Sequence, residues 1–179
     1  MWKWIGLGLV GVLAILAVVV AVQPGEFEVK RSLVMQAPPA AVFDQVQDFR
    51  NWSHWSPWEK MDSSMQKHFS GPPSGVGTSY HWVGNDQVGE GKMTITRADA
   101  PSRIDIELVF VEPWQATNPT AFTFAPEGSG TRVTWSMKGK SNFVGKAFHL
   151  VMDMDKVVGA DFEKGLASLS HAASVGQAH

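Results

Sequence analysis

The hydrophobic pattern of the chain starts with one uninterrupted apolar run. Residues 5–22 carry no polar side chain, and as a helix these eighteen residues would extend about 27 Å, close to the hydrocarbon thickness of a bilayer. Trp2 and Trp4 stand where interfacial aromatic residues occur in membrane helices, and Pro24 would end the helix on the far side. The run therefore predicts a transmembrane anchor with its linker over residues 1–25, and a cleaved signal peptide is the alternative.

Charges on the two sides of this run are nearly balanced. Lys3 and the amino terminus lie on one side, and Lys30 and Arg31 lie on the other. We expect a single-pass membrane protein with a cytoplasmic N terminus and an exported soluble domain.

The segment that follows alternates between apolar and polar residues. Residues 27–36 predict a strand whose inward face carries Arg31 beside apolar side chains. After Pro39, apolar residues recur at spacings of three and four, which predicts a short amphipathic helix. These residues are Val42, Phe43, Val46 and Phe49. A second helical turn is expected through residues 51–55, ending before Pro57.

From residue 65 onward, short periodic segments are separated by Gly, Pro, Asn and Asp. The turns are so short that neighbouring strands should be antiparallel, which gives about six or seven strands in a curved sheet. Residues 142–170 then predict one long helix, because apolar residues form a stripe at a period near 3.6. The stripe consists of Phe148, Val151, Met152, Val158, Phe162, Leu166 and Leu169. Gly159 lies on it and should allow a strand or a ligand to approach closely, and residues 171–179 should form a flexible tail.

Composition narrows the possible functions. About 155 residues follow the apolar run, which suits one domain over residues 26–170. The net charge is -2 and the fifteen Lys and Arg residues are scattered, so the basic stripe needed to bind nucleic acid is missing from the sequence. The chain has no cysteine and its six histidines show no metal-ligand spacing, so we expect neither a metal site nor a cofactor. No phosphate-binding loop and no serine-hydrolase motif occurs.

The predicted order is a strand, two short helices, antiparallel strands and a long final helix. Four segments of the sequence within these elements are the basis of a resemblance to a known family. They read RSLVMQAPPAAVFDQVQDFRNWSHWSPWEK, GVGTSYHWVGN, GEGKMTI and DFEKGLASL. In these segments the chain resembles the START-like, or helix-grip, fold of the SRPBCC superfamily, and more closely its polyketide cyclase/dehydrase and lipid-transport family. The resemblance implies an α+β domain whose sheet wraps around the final helix and encloses a mostly apolar cavity. It implies no catalytic set, because members bind lipids, sterols, polyketides or other hydrophobic molecules and only some are enzymes.

Asp155 is the most informative ionisable residue. At 100° per residue it points within the apolar arc of the final helix, and a carboxylate is rarely buried without a partner. Arg31 is one candidate partner, and Tyr80 or His81 are others. A position facing the cavity and a position in solvent at the sheet edge are both open, and a catalytic acid or base role is a third possibility.

Aromatic and Met side chains on the inward faces are candidates for the cavity wall, with ordinary core packing as the alternative. The candidates are Tyr80, Trp82, Phe110, Trp135 and Met152. Trp52, Trp55 and Trp58 are three residues apart but cannot share one helical face. We expect Trp55 in the core, Trp52 closing the helix pair, and Trp58 at the cavity mouth. With Arg31 and Asp155, these side chains complete the candidate ligand site.

Three functions follow from these features. The first is a membrane-anchored START-like domain that binds or carries a hydrophobic small molecule, such as a lipid, isoprenoid or polyketide. The second is an enzyme of the cyclase or dehydratase type, in which Asp155 or a histidine moves protons. The third is a tethered protein-interaction or envelope stress module without a ligand. We favour the first, because an anchor would keep the cavity near a bilayer in which an apolar ligand partitions.

Overall fold

The computed structural model describes residues 2–150 and 152–175, and its elements follow the predicted order. The helices are α1 (Trp2–Val22), α2 (Pro39–Gln47), α3 (Trp52–Trp55), α4 (Phe143–His149) and α5 (Met154–Val175). The strands are β1 (Glu26–Met35), β2 (Gln66–Ser70), β3 (Ser79–Val83), β4 (Glu90–Asp99), β5 (Arg103–Glu112), β6 (Ala116–Glu127) and β7 (Gly130–Lys140). Short 3-10 turns cover Phe49–Asn51 and Pro57–Lys60.

All seven strands form one antiparallel sheet in the order β1-β7-β6-β5-β4-β3-β2. From β2 to β7, each strand pairs with the next strand in the sequence. β1 does not pair with β2 but with β7. Irregular register between Glu90 and Gly91 and between Ile95 and Arg97 bends β4, as β-bulges do. The predicted α+β architecture, with a curved sheet and a C-terminal helix, is confirmed.

The core lies between the inner face of the sheet and α5. Alternation along β5 and β6 buries Ile104, Ile106 and Phe122, because every second side chain of a strand points to the same face. From α5, Phe162, Leu166 and Leu169 meet them at the predicted helical spacing.

The two short helices close one end of this core. In α2, Val42, Phe43 and Val46 are buried, and Pro39 occupies the first helical turn, where its missing N–H costs no hydrogen bond. The indole nitrogens of Trp52 and Trp55 donate to the backbone carbonyls of Val46 and Gln45, at 3.0 and 3.2 Å. These two bonds tie α3 to α2 and confirm that Trp52 closes the helix pair and that Trp55 belongs to the core.

The prediction of a single helix over residues 142–170 is wrong, because the chain forms α4 and α5 instead. The Asn142 side chain accepts from the Gly145 N–H at 2.9 Å, and Asp153 Oδ1 accepts from the Lys156 N–H at 3.2 Å. Asparagine and aspartate hydrogen-bond free N–H groups of a first turn, so each of these residues starts a helix.

The break changes which side chains face the core. Phe148 and Met152 are exposed rather than part of the buried stripe, and Val151 lies outside the described residues. At the other end α5 continues to Val175, beyond the predicted start of the tail, because Ala173 still packs into the core. Residues 176–179 of the predicted tail lie outside the described residues.

The apolar N-terminal run forms α1, which meets the domain at α4. There Lys146 Nζ donates to the Ala21 carbonyl at 3.2 Å. Val12, Ile15, Leu16 and Val18 of α1 are exposed. Across the described parts of the chain, no helix combines the length and the hydropathy that a membrane crossing requires.

Candidate functional site

A cavity of about 230 Å³ lies between the inner face of the sheet and the N-terminal half of α5. Its walls come from β1 and β3 to β7, from α3 and α5, from the Pro57–Lys60 turn, and from the loops before β2 and β4. Most of the surface is aromatic or methionine. These residues are Phe27, Trp52, Trp58, Met65, Tyr80, Trp82, Met93, Phe110, Trp135, Met137, Met154 and Phe162.

Aromatic packing makes one wall of this cavity stiff. The rings of Trp135 and Phe162 stack with centroids 4.0 Å apart and planes within 6°. Trp58 meets both rings edge-on, at 5.6 and 6.2 Å. Since each ring is held by its neighbours, this wall is formed before any ligand arrives.

Two glycines set how closely the backbone approaches these rings. A Cβ at Gly91 would lie 2.4 Å from the Trp82 ring and 2.6 Å from the Val109 carbonyl oxygen. A Cβ at Gly165 would lie 2.8 Å from the Trp135 ring. Only glycine fits at either position. Its small size allows the indole rings of Trp82 and Trp135 to pack directly against the backbone in the cavity wall.

Glu59 brings a carboxylate to the cavity wall. It lies in the Pro57–Lys60 turn, and only 7% of its side chain is exposed. The Tyr80 hydroxyl donates to Oε1 at 2.8 Å, and Lys67 Nζ forms an ion pair with Oε2. Burial, and then the Glu59 carboxylate, raise the pKa of the Tyr80 hydroxyl above its ordinary value. Both carboxylate oxygens are thus bound by the protein itself.

Asn118 and Thr120 form a second polar part of the wall, on β6. Both side chains are buried. Thr120 Oγ1 donates to the backbone carbonyl of Asn118 at 3.2 Å. The Asn118 amide donates to Met137 Sδ at 3.8 Å, and a thioether sulfur is a weak acceptor. Among the described residues, the Asn118 amide is therefore only partly satisfied.

The indole nitrogen of Trp135 is also buried, and no acceptor for it occurs among the described residues. A buried N–H without an acceptor costs free energy in a folded protein. It stands on β7, the strand next to the one that carries Asn118.

Arg31 and Asp155 meet as the sequence suggested, but neither lines the cavity. Arg31 Nη1 and Nη2 donate to the two carboxylate oxygens of Asp155 at 2.9 and 3.0 Å, and Arg31 Nε donates to Glu163 Oε1 at 2.8 Å. The guanidinium lies across Gly159, where a Cβ would come within 2.0 Å of Nη2. The close approach predicted at Gly159 is confirmed.

This ion pair fastens α5 to β1 at the surface, where 56% of the Asp155 side chain is exposed. The hydrogen bonds that Arg31 donates hold the pKa of the Asp155 carboxyl below its usual range, and donating to Asp155 and then to Glu163 raises the pKa of Arg31. Asp155 therefore serves as a partner of Arg31 rather than as a group facing the cavity.

The sequence-predicted site residues thus divide into two groups. Trp58, Tyr80, Trp82, Phe110 and Trp135 line the cavity. Met152, Arg31 and Asp155 lie outside it, Met152 because the helix breaks just before α5 begins.

Sequence reasoning missed Glu59 and Asn118. Asn118 could have been found from period-two alternation, since it shares the inward face of β6 with Phe122. The position of Glu59 gives no periodic signal, because Glu59 lies in a 3-10 turn. Its inward orientation depends on the contact with Tyr80 on β3.

Metal binding finds no support in the described part of the chain. There, no group of three or more His, Asp or Glu side chains is placed to hold an ion.

The family model described as polyketide cyclase/dehydrase and lipid transport matches residues 26–173. No curated protein sequence matches the chain.

Solved structures share the fold at low sequence identity. SA2116 of Staphylococcus aureus, a protein of unknown function, is 10% identical with a TM-score of 0.62, and the alignment covers 86% of this chain and 97% of that one. CV1439 of Chromobacterium violaceum is 15% identical with a TM-score of 0.58, covering 84% and 98%. CalU16 of Micromonospora echinospora is 17% identical with a TM-score of 0.53, covering 83% and 76%. Identities this low show a common fold and carry no activity across.

Proposed function

Since this chain belongs to the polyketide cyclase/dehydrase and lipid transport family, we propose that it binds a hydrophobic small molecule in the cavity between its sheet and α5. The observation that carries the proposal is the wall of that cavity, in which aromatic and Met side chains predominate. Each square ångström of ligand surface that such a wall removes from water contributes about 25 cal/mol.

The cavity volume limits the occupant. At about 230 Å³ it is smaller than the roughly 300–1,000 Å³ of pockets for drug-sized ligands. We therefore expect a compact molecule, or one end of a longer isoprenoid or polyketide chain.

The cyclase or dehydratase alternative has less support. Asp155, its best sequence candidate, is engaged by Arg31 outside the cavity. Glu59, the carboxylate that does line the cavity, has both oxygens occupied by Tyr80 and Lys67, which leaves it poorly suited as a base. A ligand-free interaction module is disfavoured by the cavity itself, since protein interiors are normally filled to crystal-like density.

We propose further that α1 anchors the domain to a membrane and that the domain is exported. The support is the apolar run of residues 5–22 together with the exposed apolar side chains of α1. The test replaces Val12 and Leu16 by arginine. The natural chain should stay in the membrane fraction after an alkaline carbonate wash, and the double variant should be released. Recovery of the natural chain in the soluble fraction would refute the anchor.

Ligand binding is tested with a matched pair of variants on α5. Val158 lines the cavity, whereas its neighbour Val157 is exposed. Val158→Trp should fill the cavity, and Val157→Trp should leave it open. Full-length natural and variant proteins, purified in the same detergent, are extracted with organic solvent, and the extracts are compared by mass spectrometry.

We expect an apolar molecule in the extracts of the natural protein and of Val157→Trp, and its loss from Val158→Trp. Equilibrium dialysis against naphthalene, with equal detergent in both chambers, should rank the three proteins in the same way. Equal naphthalene binding by both tryptophan variants would refute the cavity as the binding site.

A further inference from the structure

The polar groups of the cavity differ in how fully the protein satisfies them, and that difference bears on the ligand. Glu59 is fully engaged, with Tyr80 on one oxygen and Lys67 on the other. Asn118 is not. Its amide offers two N–H groups and a carbonyl oxygen, and among the described residues its one side-chain partner is the sulfur of Met137 at 3.8 Å.

Burial makes this shortfall significant. Asn118 is only 7% exposed, and the open space beside it is the cavity rather than bulk solvent. A leucine of similar size would pack at this inward position without leaving a polar group unpaired. A buried amide at the edge of an apolar cavity is therefore best explained by a hydrogen-bonding group on the occupant.

The Asn118 amide both donates and accepts hydrogen bonds. An oxygen atom, as in a hydroxyl or carbonyl group, is the function that suits it. The indole N–H of Trp135 also has no acceptor among the described residues, but it is enclosed by protein and does not open onto the cavity.

Charge excludes an ionic ligand. Within the described part of the chain, no Lys, Arg or His side chain lines the cavity, so a buried carboxylate or phosphate would find no cation there. Glu59, the acidic residue among the described parts of the wall, is already neutralised by Lys67. A cationic ligand would therefore also lack a free counter-ion.

We propose that the natural ligand is an uncharged hydrophobic molecule with a hydroxyl or carbonyl oxygen, and that Asn118 is the residue that binds this oxygen. The proposal rests on the proposed function and deepens it. The proposed site should bind alcohols, phenols, ketones and quinones more tightly than pure hydrocarbons or fatty acids of similar shape.

Three probes of one shape test the proposal, namely naphthalene, 2-naphthol and 2-naphthoate. Their affinities for the full-length protein are measured at neutral pH by equilibrium dialysis with equal detergent on both sides. One net hydrogen bond corresponds to about a fivefold change in affinity, so 2-naphthol should bind roughly five- to tenfold more tightly than naphthalene. The carboxylate should bind at least about tenfold more weakly than 2-naphthol.

Asn118→Leu supplies the variant arm of the test. It should bind naphthalene as well as the natural protein does, while the preference for 2-naphthol disappears. Thr123→Val is the matched control on the same strand, because alternation along β6 places Thr123 on the outer face of the sheet, away from the cavity, and it should keep the preference.

The outcomes separate this inference from the proposed function. Three results would each overturn the role of Asn118 while leaving ligand binding intact. They are equal binding of naphthalene and 2-naphthol, tightest binding of 2-naphthoate, or a preference for 2-naphthol that is lost in Thr123→Val but kept in Asn118→Leu. Failure of all three probes to bind would overturn the proposed function as well. The ranking of probes by the natural protein needs no variant, so a poorly folding Asn118→Leu does not block the test.

Discussion

Truncation of Phe162 to alanine tests how α5 is held against the sheet. The ring is 2% exposed, stacks on Trp135 at 4.0 Å and meets Trp58 edge-on at 6.2 Å. Burial of a Phe side chain contributes about 1.5–3 kcal/mol, and each aromatic pair adds about 0.5–1.5 kcal/mol. These terms agree with the ~3–5 kcal/mol measured for Phe→Ala changes in protein cores. Because the space vacated joins an existing cavity, we expect a loss near the lower limit, about 3 kcal/mol.

The measurement is equilibrium urea unfolding of the full-length protein, followed by far-ultraviolet circular dichroism and linear extrapolation. Val157→Ala is the matched control, since Val157 lies on the same helix and is exposed, and it should change stability by less than about 0.5 kcal/mol. A loss below about 1 kcal/mol for Phe162→Ala, with an unchanged urea dependence, would show that α5 does not depend on this stack.

Three further predictions follow from single contacts. Gly91→Ala should destabilise the protein by about 1–3 kcal/mol and weaken naphthalene binding, because the new methyl group pushes the Trp82 ring toward the cavity. Thermal unfolding measures the first effect and dialysis the second. Unchanged values in both would contradict the packing at Gly91. Asp155→Asn should lower stability at neutral pH, and its difference from the natural protein should shrink as the pH falls below about 4. The sign follows because Arg31 lowers the pKa of the folded Asp155 carboxyl, so its stabilisation is present in the ionised state and is lost on protonation; a pH-independent difference in urea midpoint would argue against it. Thr131→Val should cost about 1–2 kcal/mol in urea unfolding, since the buried hydroxyl donates to a backbone carbonyl at 2.7 Å, and a neutral result would mean that the carbonyl finds another donor.

The candidate site shows where prediction from sequence works and where it stops. Alternation along β3 places Tyr80 and Trp82 on the inward face, and the structure finds both in the cavity wall. The same reasoning placed Asp155 on the inward arc of a helix, but there it pairs with Arg31 near the surface instead. Periodicity predicts which face of a helix or strand a residue occupies. Whether that residue then lies beside the cavity depends on how the element packs against segments that are distant in the sequence.

The three closely spaced tryptophans illustrate the same limit. Their spacing showed that they could not share one helical face. In the structure, however, Trp52 and Trp55 pack on each other at 4.5 Å, and all three rings contact Trp135. Trp55 is fully buried in the core, Trp52 bonds to α2 and also borders the cavity, and Trp58 packs on Trp135 and Phe162. That Trp52 would reach the cavity does not follow from its neighbours in the chain.

By itself, the sequence determined the order of the elements, the antiparallel sheet and the apolar character of its inner face, because these depend on local propensity and on periods of 2 and 3.6 residues. Tertiary structure alone decided that the facing layers leave a cavity, that Glu59 turns inward to meet Tyr80 and Lys67, and that Asn118 remains incompletely bonded. The reason is physical. A void and an unsatisfied amide are defined by the atoms that surround them, and those atoms come from strands and helices that lie far apart in the chain.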